Sequence, residues 1–178
     1  MNINLYVALD LMRLTLLSIT DGSLVEKEGE SGSTTNDEEL RADRILGETI
    51  RDHFIAIPEV RTVEVEGLGI FEANSDGNLH VKVDPLDASL NYKNKGNIHT
   101  LFPYAGVITV LEHTSGDPTF GNIVAGGVMS FSSAEPDSWT AYEDRSTVFN
   151  GKDAIPYQDE LSLTKTTVIA EMYYPTNR

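Results

Sequence analysis

The stretch Val81-Lys-Val-Asp84-Pro85-Leu86-Asp87-Ala88-Ser89 ends an alternating pattern in two carboxylates, with a proline between them. Valine at every second position predicts a β-strand with one buried face. Taken alone, Asp-Pro followed by Asp-Ala-Ser is typical of a turn and a helix cap. The same residues also place two oxygen ligands close together at a strand end, which is the alternative that the surrounding sequence favours.

Further carboxylates upstream of this stretch extend the oxygen-ligand interpretation. Glu66 ends the alternating run Val63-Glu64-Val65-Glu66-Gly67, and Asp43 lies inside a helical pattern. Because alternation places Glu64 and Glu66 on one face of a strand, either glutamate is a candidate ligand. Carboxylates gathered at strand ends repel one another unless a cation neutralises them, and Mg²⁺ prefers such oxygen ligands. The sequence therefore predicts a magnesium site.

The N-terminal part of the chain has helical spacing of its apolar residues. Residues 5–19 predict an amphipathic core helix, and the Gly-, Ser- and Glu-rich residues 20–36 predict a flexible loop. A second helical pattern begins at Asp37, with Asn36 or Asp37 as its cap, and Pro58 closes it.

Beyond Pro58 the period changes from helical to alternating. Strand candidates are residues 63–65, 81–83, 106–111, 123–131, 139–142, 146–149 and 167–173. Two helices followed by strands without long helices between them predict an α+β fold, in which the helices pack on one face of a mainly antiparallel sheet.

Composition narrows the classes of function. The 178 residues include 13 basic and 28 acidic side chains, which gives a formal net charge of −15. Such a charge argues against a nucleic-acid polymer or an anionic membrane as partner. The absence of cysteine excludes disulfides, zinc-thiolate sites and cysteine nucleophiles, and it suits a cytoplasmic protein. The histidines share no metal-binding spacing, so we expect them at the surface or partly buried; they are His53, His80, His99 and His113.

The motif Asp84-Pro85-Leu86-Asp87-Ala88-Ser89 resembles the Asp-Pro-hydrophobic-Asp-Gly-Ser/Thr pattern of the inositol monophosphatase and fructose-1,6-bisphosphatase superfamily of magnesium-dependent, lithium-sensitive phosphatases. Ala88 stands where the family usually has Gly. The 23 residues that separate Asp43 from Glu66 are similar to the family spacing, and Asp37 is similar to an extra aspartate of the fructose bisphosphatase branch. Residues 121–128 and 148–152 also resemble family segments, so the likeness runs from about Thr34 to the C-terminus.

The resemblance implies a set of metal ligands. Glu66, Asp84 and the Leu86 carbonyl would hold one Mg²⁺, and Asp84 and Asp87 would hold part of a second. Glu64 is the less favoured alternative to Glu66, because the family spacing selects Glu66.

The resemblance also implies catalytic residues. Asp43 and Ser89 would orient and deprotonate the attacking water, with Asp37 as a further catalytic candidate. The backbone amides of Ala88 and Ser89 would bind the phosphate oxygens.

In the family, the fold is a layered αβαβα sandwich of two domains. We therefore expect residues 1–164 to form the N-terminal metal-binding domain and residues 165–178 to begin a truncated second domain. The family places a further metal-binding aspartate in a Trp-Asp segment, whereas the single tryptophan here, Trp139, precedes Thr140. That segment is therefore missing from the chain.

Two functions are consistent with this interpretation. The first is a Mg²⁺-dependent phosphomonoesterase acting on a small phosphorylated metabolite: an inositol phosphate, a sugar bisphosphate or a bisphosphate nucleotide. The alternative is a non-catalytic half-domain that binds magnesium or phosphate and needs a second domain. Either form is expected to self-associate as a homodimer or through the surface left by the missing domain.

Overall fold

The helices and strands predicted within residues 5–149 occur in the order predicted, and further strands lie between them. The structure, a computed structural model, describes residues 3–19, 27–30, 38–87, 104–114, 119–131, 137–143, 145–150 and 152–153. Its elements are α1 (Leu5–Ser18), β1 (Lys27–Glu30), β2 (Glu38–Leu40), α2 (Arg41–Ile55), β3 (Val60–Val65), β4 (Gly69–Glu72), β5 (Leu79–Asp87), β6 (Ala105–Glu112), β7 (Ile123–Ser130), β8 (Ser138–Tyr142), β9 (Arg145–Phe149) and β10 (Lys152–Asp153).

Eight strands form one sheet in the order β10-β9-β8-β7-β6-β5-β3-β4. Strands β3 and β5 pair in parallel, and the other neighbours in this sheet pair antiparallel. The predicted α+β fold with a mainly antiparallel sheet is confirmed. The parallel pair is the feature that matters for the site, because it brings the carboxyl ends of two strands to the same edge of the sheet.

Both helices cover the same face of this sheet. Val65, Val83, Ile108 and Gly127 are partners in successive strand pairs, so they form one row across the sheet. At one end of the row Val65 lies against Gly47 of α2, and at the other end Gly127 lies against Leu9 of α1. The core therefore lies between the two helices and this face.

Helix α1 begins where Asn4 caps it, since the Asn4 side chain accepts a hydrogen bond from the Val7 N–H at 3.3 Å. Its buried stripe is Leu5, Ala8, Leu9, Met12 and Leu16, as the helical spacing predicted.

Helix α2 begins four residues later than predicted. Residues Glu38–Leu40 are extended and pair antiparallel with Lys27–Glu30, so their backbone groups bond to that strand and the helix starts at Arg41. The prediction that the helix begins at Asp37 is therefore wrong. Residues 27–30, inside the segment predicted as a loop, form strand β1. Asn36 and Asp37 lie outside the described residues.

The strands predicted from alternation within residues 63–149 are all present, with bounds that differ by a few residues. Strand β4 was not predicted; three of its four residues are exposed, so its sequence carries no apolar alternation. The strand predicted at 167–173 and the domain boundary at residue 164 lie outside the described residues. Within the described ranges, no helix is both long and apolar enough to span a membrane.

Candidate metal centre

The parallel pairing of β3 and β5 brings Glu66 next to Asp84. The two strands run in register from Val63 opposite Val81 to Val65 opposite Val83. One residue further, the Glu66 N–H donates to the Val83 carbonyl at 2.9 Å. Carboxylates that follow the last paired valines therefore meet at one edge of the sheet.

Asp84 is the most perturbed acid at this edge. Burial raises its pKa, and the neighbouring charge of Glu66, a side-chain hydrogen bond with Glu66 and the charge of Asp87 raise it further, to about 7. The Leu86 N–H, which donates to Asp84 Oδ1 at 3.1 Å, acts in the opposite direction. Near pH 7 and without a cation, Asp84 is therefore protonated in about half of the molecules, next to the Glu66 carboxylate.

A bulge in β5 brings Asp87 to the side of Asp84. Asp84 lies opposite Val107 and Asp87 lies opposite Ala105, so three steps along β5 match two steps along β6. Without the bulge, an odd separation would place the two aspartates on opposite faces of the strand. Pro85, which has no N–H to offer a neighbouring strand, stands inside the bulge.

Glu64 and Glu66 have different partners. The Glu64 carboxylate forms an ion pair with Lys82 at 2.7 Å, and both side chains are almost half exposed. Glu66 instead bonds to Asp84. Glu66 therefore lies within the acidic group at this edge and Glu64 lies outside it, and the predicted preference for Glu66 as the ligand stays a prediction. Lys82 itself was not singled out in the sequence, because its pairing with Glu64 depends on the parallel register.

The structure brings together only some of the predicted site residues. Glu66, Asp84 and Asp87 interact, and the Leu86 backbone binds Asp84. Asp43 is half-buried in the first turn of α2, the helix that packs on β3 and β5. Asp37, Ala88 and Ser89 lie outside the described residues, so their catalytic and phosphate-binding roles stay predictions.

The ligand atoms at this edge are of the chemical type that a hard divalent cation prefers. They are carboxylate oxygens, of which those of Asp84 are partly buried and those of Glu66 and Asp87 are exposed, and a bound cation relieves the repulsion between the ionised groups. Among the residues that the structure describes, however, no group of three or more His, Asp or Glu side chains is arranged to hold a metal ion. The described chain thus supplies a carboxylate pair with Asp87 beside it, and the full ligand set stays a prediction.

Sequence comparisons find no relatives. No protein-family model and no curated protein sequence matches the chain.

Solved structures do resemble it. The fructose-1,6-bisphosphatase of Leishmania major matches with a TM-score of 0.62 at 11% identity, over 80% of this chain and 46% of that one. The extragenic suppressor protein SuhB of Bartonella henselae matches with a TM-score of 0.61 at 19% identity, over 84% of this chain and 51% of that one. The IMPase of Thermotoga maritima matches with a TM-score of 0.56 at 21% identity, over 87% and 54%.

The chain spans about half the length of each of these proteins. Their names cover both branches of the superfamily that the Asp84–Ser89 motif resembles. The chain therefore has the fold shared by the inositol monophosphatases and the fructose-1,6-bisphosphatases, as the motif predicted.

Proposed function

We propose that this chain contributes the metal-binding half of a Mg²⁺-dependent phosphomonoesterase that acts on a small phosphorylated metabolite. The observation that carries the proposal is the hydrogen-bonded pair of Glu66 and Asp84 at the edge of a parallel strand pair, in a fold that phosphatases share. Proteins keep two carboxylates in contact where a proton or a cation is to be bound between them.

The ligands of the cation would be Glu66, Asp84, Asp87 and the Leu86 carbonyl. When bound, Mg²⁺ would polarise the attacking water and neutralise the charge of the phosphate. The bulge at Pro85 supports this assignment, since it places Asp87 on the side of Asp84. The amides of Ala88 and Ser89, which follow directly, are proposed to bind phosphate oxygens.

Proton transfer is assigned to Asp43 and Ser89. Hydrolysis forms a bond between the water oxygen and phosphorus while the ester P–O bond breaks, so the water must lose a proton and the alcohol must gain one. Ser89 is proposed to take a proton from the water while it passes its own proton to Asp43, and solvent water is proposed to supply the proton that the departing alcohol oxygen gains. Such general base assistance contributes about a hundred- to ten-thousand-fold in rate.

A second candidate function is binding of magnesium or phosphate without turnover. It rests on the sequence around the single tryptophan, Trp139, which precedes Thr140, so the family's Trp-Asp segment has no counterpart in this sequence. The inositol phosphate, sugar bisphosphate and bisphosphate nucleotide substrates all remain open under the first candidate.

Phosphate release separates the two candidates. The purified chain is incubated with a simple phosphate monoester with and without Mg²⁺, and Asp84→Asn serves as the matched inactive control. Turnover that requires both Mg²⁺ and Asp84 supports the phosphomonoesterase. Binding of magnesium or inorganic phosphate in calorimetry without phosphate release supports the binding module, and failure to bind either one rejects both candidates.

A further inference from the structure

A histidine pair occupies the opposite end of β5 from the carboxylates. His80 Nε2 lies 2.6 Å from His113 Nδ1, and the ring centroids are 4.7 Å apart at an angle of 58°. His80 is at the start of β5, and His113 follows directly after β6, the neighbouring antiparallel strand. Four residues of extended chain separate His80 from Asp84, a distance of about 13 Å, so the pair is distinct from the candidate magnesium centre.

Thr62 orients the His80 ring from the other side. The Thr62 hydroxyl hydrogen-bonds to His80 Nδ1, and Thr62 lies opposite His80 in the parallel pairing of β3 and β5. When the Thr62 hydroxyl accepts a hydrogen bond from the Nδ1–H of His80, the lone pair of Nε2 points at His113, and this is the arrangement found in metal-ligating histidines. His80 therefore directs Nε2 at His113 from a fixed position.

We infer that His80 and His113 form a binding site for a divalent transition-metal ion of the zinc, nickel and copper class. Imidazole nitrogen is a preferred ligand of these ions, whereas Mg²⁺ and Ca²⁺ prefer oxygen. The ion binds His80 Nε2 and His113 Nδ1, and water fills its other coordination positions.

The geometry needs only a small adjustment. Two nitrogens that bind one tetrahedral zinc ion at 2.0–2.1 Å are about 3.3 Å apart, so the pair must open by roughly 0.7 Å. His113 is exposed, so its ring has room to move by this amount, whereas the hydrogen bond to Thr62 holds the partly exposed ring of His80. In the neutral metal-free pair, one N–H proton lies between the two rings. Metal binding displaces this proton to the outer nitrogen of His113, Nε2, so the charge of the pair itself does not change.

Neighbouring charges limit the affinity. Arg61 and Lys82 act on His80 as positive charges, and Glu72 acts as a negative one. The two cations weaken binding of a metal ion, and Glu72 opposes them in part. We therefore expect binding at micromolar rather than nanomolar free metal.

Calorimetric titration with Zn²⁺, in excess Mg²⁺ so that the carboxylates are occupied, tests the site. The intact chain is expected to bind zinc, and His113→Ala, which removes an exposed ring, is expected to bind it roughly tenfold more weakly or worse. His53→Ala is the matched control, because His53 is a partly buried histidine on α2 whose ring packs edge-on against Phe54. The site is supported if the intact chain and His53→Ala bind zinc and His113→Ala does not.

A spectroscopic measurement on bound Cu²⁺ identifies the ligands directly, so the assignment of the two histidines does not rest on affinity alone. Bound Cu²⁺ is expected to show electron paramagnetic resonance coupling to two imidazole nitrogens in the intact chain and to fewer in His113→Ala. Thr62→Val should retain two nitrogens but bind about tenfold more weakly, because the orientation of the His80 ring is no longer held by the Thr62 hydroxyl. Equal zinc affinity in His113→Ala and the intact chain, or coupling to two imidazoles in His113→Ala, would overturn the proposal, whatever the outcome of the phosphatase assay.

Discussion

Glu64 and Lys82 lie opposite each other on the parallel strands β3 and β5, and their ion pair of 2.7 Å separates Glu64 from the acidic edge that Glu66 and Asp84 form. Glu64 and Glu66 are two positions apart along the chain, so alternation places them on the same face. Their partners nevertheless differ in charge, so one is neutralised by a lysine and the other is left to share a proton or a cation. The proposed assignment of Glu66 as the metal ligand depends on this difference.

The first prediction compares the two glutamates. Glu66→Gln is expected to weaken Mg²⁺ binding by roughly tenfold or more, because an amide lacks the charge of a carboxylate ligand. Glu64→Gln is expected to leave the affinity nearly unchanged, since it removes only an exposed partner of Lys82. Isothermal titration calorimetry with Mg²⁺ on both variants gives the comparison. The reverse order would move the ligand assignment to Glu64.

The second prediction concerns the stability of the metal-free protein as pH changes. The pKa of Asp84 is raised from 3.8 to about 7 in the folded chain, so between these values the folded chain holds more protons than the unfolded chain. The free energy of unfolding must therefore fall as pH rises from about 4 to about 7, by the contribution of this group. Above the folded pKa the contribution no longer changes.

Asp84→Asn isolates that contribution, because the other acids are common to both proteins. Urea unfolding of the two chains without metal, at pH 5 and pH 8, is the measurement. The free energy of unfolding of Asp84→Asn, relative to that of the intact chain, should be larger at pH 8 than at pH 5. At pH 8 the intact chain carries the repulsion between Asp84 and Glu66, and the variant does not. A difference that is the same at both pH values would show that the carboxylates do not share a proton.

The third prediction tests the contact between α1 and the sheet. A Cβ atom at Gly127 would lie 3.0 Å from Leu9 Cδ1 and 3.3 Å from Thr140 Cγ2, whereas at Gly126 the nearest atom is the Ile108 carbonyl oxygen at 3.8 Å. Gly127→Ala is expected to cost about 1–3 kcal/mol of stability through overpacking. Gly126→Ala should stay within about 0.5 kcal/mol of the intact chain. Chemical denaturation of both variants measures these values, and equal stabilities would contradict the helix position.

Sequence patterns predicted the sheet well because its central strands alternate between a buried and an open face. The candidate ligands Asp84 and Asp87 could be recognised from the sequence because they are only three positions apart. The start of α2 was not predictable from local spacing, since Glu38–Leu40 carries helix-forming residues that pairing with Lys27–Glu30 holds extended. A longer-range contact overrides propensity there.

The histidine pair shows the same limit at a site. His80 and His113 are 33 residues apart in sequence, and antiparallel pairing of β5 and β6 brings them into contact. A search for ligand spacing within one helix or loop does not find such a pair. The ion pair of Glu64 with Lys82 likewise depends on a register that follows only once the strands are placed.

The most direct test of the account is the number of protons that Mg²⁺ releases when it binds. Calorimetric titrations of the intact chain at pH 6, in buffers with different ionisation enthalpies, measure this number, with a second series at pH 9. If Glu66 and Asp84 share a proton that the cation displaces, magnesium should release up to about one proton at pH 6 and almost none at pH 9. Binding that releases no proton at pH 6, or the absence of magnesium binding at both pH values, would contradict the assignment of this carboxylate pair as the metal site.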